Sequence, residues 1–196
     1  MLRKCMIVAV IAAALAAGAM AQTPMDVTKY EYKLLATQKT GTMQKEMSQL
    51  AEAGFRFEAV SGGETAYGGD EALVIMSRPK TGLLKQRYRY LLLATKKTGT
   101  MQRELQAAGD EGFEYRGQTV FKTAFGGKEV VVILERDADA KIDRWEYKLL
   151  ATKKTGTMQK ELSEVGDLGF EFVGVTVGET SFGGNEVVTI MRRPVK

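Results

Sequence analysis

A lysine followed by Thr-Gly-Thr occurs three times in this chain, and each copy runs into a stretch of helical spacing. The first turn of a helix carries N–H groups without intrahelical partners and a partial positive charge, so it favours anions. Lys39, Thr40, Gly41 and Thr42 therefore form a candidate ligand-binding set. It is repeated as Lys97, Thr98, Gly99 and Thr100, and again as Lys154, Thr155, Gly156 and Thr157. Ammonium and hydroxyl groups suit a phosphate, a sulfate, or a carboxylate on a glycan or partner protein. The glycine lets such a ligand approach the backbone. The pattern is not a P-loop, in which lysine and a hydroxyl residue follow a longer glycine-rich loop. The plainer and commoner role is a helix start, with Thr42, Thr100 and Thr157 capping free N–H groups.

Two further sets have chemical potential. Glu46, Glu104 and Glu161 fall in first helical turns, and Glu71, Glu129 and Glu186 open apolar strands. Paired carboxylates can perform acid–base work on glycosides, yet charged residues at element ends are routine. These read as structural. Tyr67, Phe125 and Phe182 each precede a Gly-Gly pair. Three rings could form a sugar- or protein-binding surface, but a ring beside a hairpin more often packs over its own sheet. "DADAKID" (137–143) lacks the glycine and glutamate of a calcium loop.

Composition excludes more than it assigns. Histidine is absent and Cys5 is the only cysteine, which rules out Ser-His-Asp and Cys-His sites. Imidazole and thiolate ligands for zinc or copper are likewise missing, so no cofactor or metal is expected. The formal charge of +4 falls to +2 without Arg3 and Lys4. Its charges are interspersed, which speaks against a nucleic-acid partner.

Residues 1–21 have a basic start, an Ala-rich apolar stretch, and Ala19 and Ala21 at the small-residue positions of a cleavage site. That is the layout of a bacterial secretory signal peptide cleaved after Ala21. The stretch is shorter than the roughly 20 residues of a spanning helix. No membrane span is expected after cleavage, and an uncleaved anchor is the lesser alternative. The expected location is periplasmic or secreted.

The elements that hold the candidate sets are themselves repeated. An N-terminal segment (22–29) precedes repeat one (30–79); linkers 80–87 and 138–144 separate it from repeat two (88–137) and repeat three (145–196). "YEYKLLAT", "YRYLLLAT" and "WEYKLLAT" alternate with period two. The pattern predicts a half-buried strand with Tyr30, Tyr32, Leu34 and Ala36 on one face. Met43, Met47, Leu50 and Ala51 then recur at helical spacing, and Gly54, Gly112 and Gly169 should end the helices. A second alternating strand, a Gly-Gly turn and an apolar third strand follow; the third is the best candidate for a central strand covered on both faces. Each unit reads as β-α-β-β. Units this small are marginal alone, so the expected fold class is α+β: three tandem repeats docked into one compact body, each with a helix on a small, mainly antiparallel sheet. A pseudo-threefold arrangement is expected.

"YEYKLLAT", the "GF" after the helix and the closing "RP" resemble a small bacterial βαββ domain, domain-of-unknown-function family 4177. Its members pair an early Tyr-Glu-Tyr-Lys-like strand with a helix closing in Gly-Trp-Glu-Leu and a last strand ending in Lys/Arg-Pro. Phe55, Phe113 and Phe170 stand here where that family usually has tryptophan. The resemblance implies a fold and no established activity. The expected function is that of an exported, non-enzymatic binding or scaffolding protein whose partner is an unknown protein, glycan or small anion. A small-anion binder using the Thr-Gly-Thr segments is the alternative, and a carboxylate-dependent hydrolase ranks last.

Overall fold

A computed structural model describes residues 28–65, 69–81, 87–122, 128–179 and 185–195. The expected signal peptide and the rings of Tyr67, Phe125 and Phe182 lie outside the described residues.

Unit one comprises β1 (Tyr30–Thr37), α1 (Thr40–Glu52), β2 (Arg56–Thr65) and β3 (Gly69–Pro79). Unit two comprises β4 (Tyr88–Thr95), α2 (Thr98–Asp110), β5 (Glu114–Lys122) and β6 (Lys128–Asp137). Unit three comprises β7 (Trp145–Thr152), α3 (Thr155–Asp167), β8 (Glu171–Glu179) and β9 (Asn185–Pro194). Each unit forms its own antiparallel three-stranded sheet with the last strand in the middle: β1-β3-β2, β4-β6-β5 and β7-β9-β8. The apolar third strand is central, as its sequence predicts.

Each helix ends through one shared device. Gly54, Gly112 and Gly169 adopt φ near +82°, a left-handed conformation that suits a residue without Cβ. In unit one the Phe55 N–H then reaches the carbonyl of Leu50 at 2.9 Å, and the Gly54 N–H reaches Ala51 at 2.9 Å. This is the Schellman pattern of two reversed bonds. The arginine near the end of each third strand completes it. Arg78, Arg136 and Arg193 donate to the terminal helix carbonyls of Ala53, Glu111 and Leu168 at 2.8, 2.8 and 2.6 Å. Their guanidinium groups also stack on Phe55, Phe113 and Phe170. Thus the "GF" motif and the arginine near the end of the third strand, followed by proline in units one and three and by Asp137 in unit two, clamp one helix end between them.

The units pack in succession: α1 and β2 against unit two, then α2 and β5 against unit three. The first core cluster contains Met43, Met47, Phe55, Val74 and Met76 of unit one, but also Tyr90, Val131 and Ile133 of unit two. In the second, Met101, Leu105 and Val132 are joined by Tyr147 and Ile190 of unit three. The third contains residues of unit three alone. An open succession thus replaces the expected pseudo-threefold arrangement, because α1 and α2 each have one face for their own sheet and another for the next.

The burial of the central strands follows from that succession. Val130 through Glu135 of β6 are buried without interruption, and so are Val188 through Met191 of β9. Along β3 burial alternates: Val74 and Met76 face α1, while Ile75 is exposed. Among the described residues, unit one has its own helix on one side of its sheet and no preceding helix on the other.

Candidate functional site

The three Thr-Gly-Thr segments are the first turns of their helices. The carbonyls of Lys39, Lys97 and Lys154 accept the N–H of Met43, Met101 and Met158, each at 3.0 Å. These bonds close the turn three residues earlier than expected. The lysines therefore occupy the cap position, and no side chain caps any of the three helices. This corrects the expectation that Thr42, Thr100 and Thr157 act as caps: they lie inside the helices. The last threonine of the preceding strand acts nearby instead. Thr37, Thr95 and Thr152 each accept the N–H of the cap lysine, at 3.2, 3.1 and 3.2 Å.

The segments are open to solvent. Lys39, Gly41, Lys97, Gly99, Lys154 and Gly156 are exposed, and a Cβ added at any of the three glycines would meet nothing within 4 Å. Thr40 and Thr98 are half-buried, whereas Thr155, Thr42 and Thr157 are exposed; Thr100 is half-buried. Lys97 and Thr98 border a cleft shared with Thr95, Met101, Val130, Leu149 and Gly178. Its free volume of about 20 Å³ holds one water and no larger ligand. The carboxylates are dispersed. Glu46, Glu104 and Glu161 sit on three different helices, and Glu71, Glu129 and Glu186 on the central strands of three different sheets. Among the described residues no three Asp, Glu, His or Cys group to hold a metal ion, and no helix is long and apolar enough to cross a membrane.

What the repeated string does bring together is the glutamine that follows Thr-Gly-Thr-Met. Gln44 on α1 accepts the N–H of Leu92, on the outer edge of β4, at 2.9 Å. One unit later Gln102 on α2 accepts the N–H of Leu149 at 2.7 Å and donates to the carbonyl of Tyr147 at 2.9 Å. Gln106 accepts the N–H of Tyr147 at 3.0 Å and reaches the carbonyl of Trp145 at 3.3 Å. An edge strand presents unpaired backbone groups, and these side chains satisfy them. The "TGTMQ" string thus carries a joint between units.

The aromatic strand supplies the other half of that joint. Tyr90 receives the N–H of Phe57 on its hydroxyl at 2.8 Å and donates to buried Glu135 at 2.8 Å. Glu135 also binds Arg56 of the preceding unit at 2.8 Å. In the second joint Tyr147 receives the N–H of Tyr115 at 2.8 Å and donates to the carbonyl of Phe113 at 2.9 Å. The ion pair persists with its signs exchanged: Glu114 stands for Arg56, and Arg192 for Glu135, at 3.3 Å. Sequence reasoning did not single out these residues, although the paired reversal of charge between copies is visible in the alignment.

Close approach explains one glycine. A Cβ on Gly109 of α2 would lie 2.3 Å from the Trp145 carbonyl oxygen and 2.8 Å from the Tyr147 ring. At the same repeat position Gly166 of α3 has open space. We expect Gly109→Ala to destabilise the chain by roughly 1–3 kcal/mol through overpacking. Gly166→Ala should stabilise it by up to about 1 kcal/mol through helix propensity. Urea unfolding of the two variants checks both signs.

Burial raises the phenol pKa values of Tyr90 and Tyr115, the Glu135 charge adding to the effect at Tyr90. Burial also moves Tyr147 from 10.0 to about 12. The unfolded chain then ionises first. Stability present below about pH 10 falls as pH rises through that value toward 12, by about 1.4 kcal/mol per pH unit for each such phenol. Unfolding midpoints measured on either side of this window check the fall, which Tyr147→Phe should reduce.

Comparison with protein-family models, with curated proteins and with solved structures finds no match to this chain.

Proposed function

We propose that this is an exported, non-enzymatic scaffolding protein, a rigid succession of three units in which the repeated segments serve as joints. One observation supports it above the others: the string shared by all three copies places Gln44 and Gln102 on the backbone of the following unit. The resemblance to family 4177 agrees with this reading in offering a fold and no activity. Export to the periplasm or beyond rests on the layout of residues 1–21.

The alternative is a small-anion binder. It is favoured by the three helix starts that no side chain caps, beside the exposed Lys39, Lys97 and Lys154. Calorimetric titration with inorganic phosphate and with sulfate separates the two. Scaffolding predicts no saturable heat. Saturable binding that disappears in a Lys39→Ala, Lys97→Ala, Lys154→Ala variant would overturn it in favour of the anion site.

A further inference from the structure

We propose that the outer faces of units one and three are the two halves of one more joint, so that unit one of a second copy docks head to tail on unit three of the first. The inference deepens the reading of the repeated segments as joints and rests on it.

Each internal joint has a leading half and a receiving half. The leading half is a helix glutamine together with the ring that follows Gly-Phe-x: Gln44 with Phe57, then Gln102 with Tyr115. The receiving half is the aromatic strand and the central-strand isoleucine beside it: Tyr90, Leu92 and Ile133, then Tyr147, Leu149 and Ile190. Both halves occur once more without a counterpart among the described residues.

At the unit-three end the leading half is uncovered. Gln159 is exposed and its amide turns to Ser163 of its own helix. Phe172 is 57% exposed where Phe57 is 3%, and Val175 and Val177 beside it are exposed as well. At the unit-one end the receiving half is uncovered. Tyr32 is 63% exposed, against 5% for Tyr90 and 2% for Tyr147. Ile75 is 39% exposed, against 1% for Ile133 and 0% for Ile190, and Leu34 is exposed beside it. The core tells the same story, since the first two clusters include residues of the following unit and the third has none.

The two faces correspond position by position. Phe57 lies over Gly117, and the Tyr115 hydroxyl over Gly174, each where an added Cβ would crowd the ring; the corresponding seat for Phe172 is the exposed Ala59, so this ring must sit farther out than its two counterparts. Ile142 and Asp143 close over Gly112, whereas Gly169 borders an open cleft of about 450 Å³ with Leu168 and Arg193. Repeat arrays that stay monomeric carry polar terminal faces, and apolar faces of this kind mark association surfaces. One feature of the internal joints is missing. Glu171 stands where Arg56 and Glu114 stand, and in place of an opposite charge it would face the Glu58 carboxylate, which already accepts from the buried Ser77 hydroxyl. The joint between copies is therefore reversible and concentration-dependent. Because its two halves differ, it is heterologous and extends into rings or filaments instead of closing as a dimer.

Sedimentation of the exported protein tests this with two variants. Leu34→Lys spoils only the receiving half, and Phe172→Glu only the leading half; both positions are exposed, so circular dichroism should show the fold intact. The wild type should sediment as species that grow past a dimer as concentration rises. Each variant alone should be a monomer, and their equimolar mixture should form a dimer and stop there. A wild type that stays monomeric up to ~1 mM, the weak limit of specific association, would overturn the proposal. So would a variant that still associates alone, or a mixture that stays monomeric. The joint reading can fail separately: in monomeric Leu34→Lys it requires slow hydrogen exchange at the Leu92 and Leu149 amides.

Discussion

Replacing Tyr147 with alanine is expected to lower the unfolding free energy by about 3–5 kcal/mol, the range for a fully buried aromatic side chain. Tyr147 is among the largest wholly buried side chains, and its hydroxyl ties Tyr115 to Phe113. The same substitution at Tyr32 should change stability by less than about 0.5 kcal/mol, as exposed positions do. Both tyrosines occupy one repeat position and begin near-identical strands. The difference lies in what covers them: α2 and β5 lead into unit three, and no unit leads into unit one among the described residues. Urea unfolding of the two variants in dilute solution checks the contrast. Equal losses would mean that each aromatic strand belongs to the core of its own unit.

Reversing Glu135 to arginine should cost roughly 3–5 kcal/mol, because it breaks a buried pair and sets like charges together. Arg56 and Arg116 both approach the Glu135 carboxylate, at 2.8 and 3.6 Å, and Tyr90 loses its acceptor. Adding Arg56→Glu should recover more than half of the loss, since the pair would then have the polarity already found at Glu114 and Arg192. Tyr90 should then turn to the Phe55 carbonyl, at the repeat position of the Phe113 carbonyl bound by Tyr147. A double-mutant cycle should return a coupling at the top of the range for contacting residues, about 3 kcal/mol. Additive effects would show that the two charges do not meet across the first joint.

Much of the single unit was legible in the sequence. Period-two strands, helical methionines, terminating glycines and an apolar third strand each reflect local chemistry, and each stands where that chemistry puts it. The helix start was misplaced because Thr42 looks like a cap, while the backbone carbonyl of Lys39 closes the turn and leaves no trace in residue type. The inner face of the first strand was legible for only two units. An alternating pattern says that one face differs from the other, but a neighbouring unit decides which is covered. Tyr90 and Tyr147 have such a neighbour, and Tyr32 is exposed.

The candidate site had the opposite fate. Lysine, threonine and glycine drew the eye because they have ligand chemistry, yet they lie at an exposed helix start beside a cleft no larger than a water. The contact between units comes from the next polar residue along, a glutamine whose long amide reaches an adjoining strand edge. No local pattern distinguishes such a glutamine from one in solvent, as Gln159 on the same string is.

Amide hydrogen exchange on the dilute, monomeric protein tests the joint most directly. The outward edges of the first strands should differ by unit: slow exchange at Leu92, Tyr147 and Leu149, whose amides are held by Gln44, Gln106 and Gln102, and fast exchange at Tyr32 and Leu34. Gln102→Ala should release Leu149 while leaving Leu92 protected. Uniform protection along all three strands, or a Leu149 amide indifferent to Gln102, would contradict the assignment of the repeated segment to a joint between units.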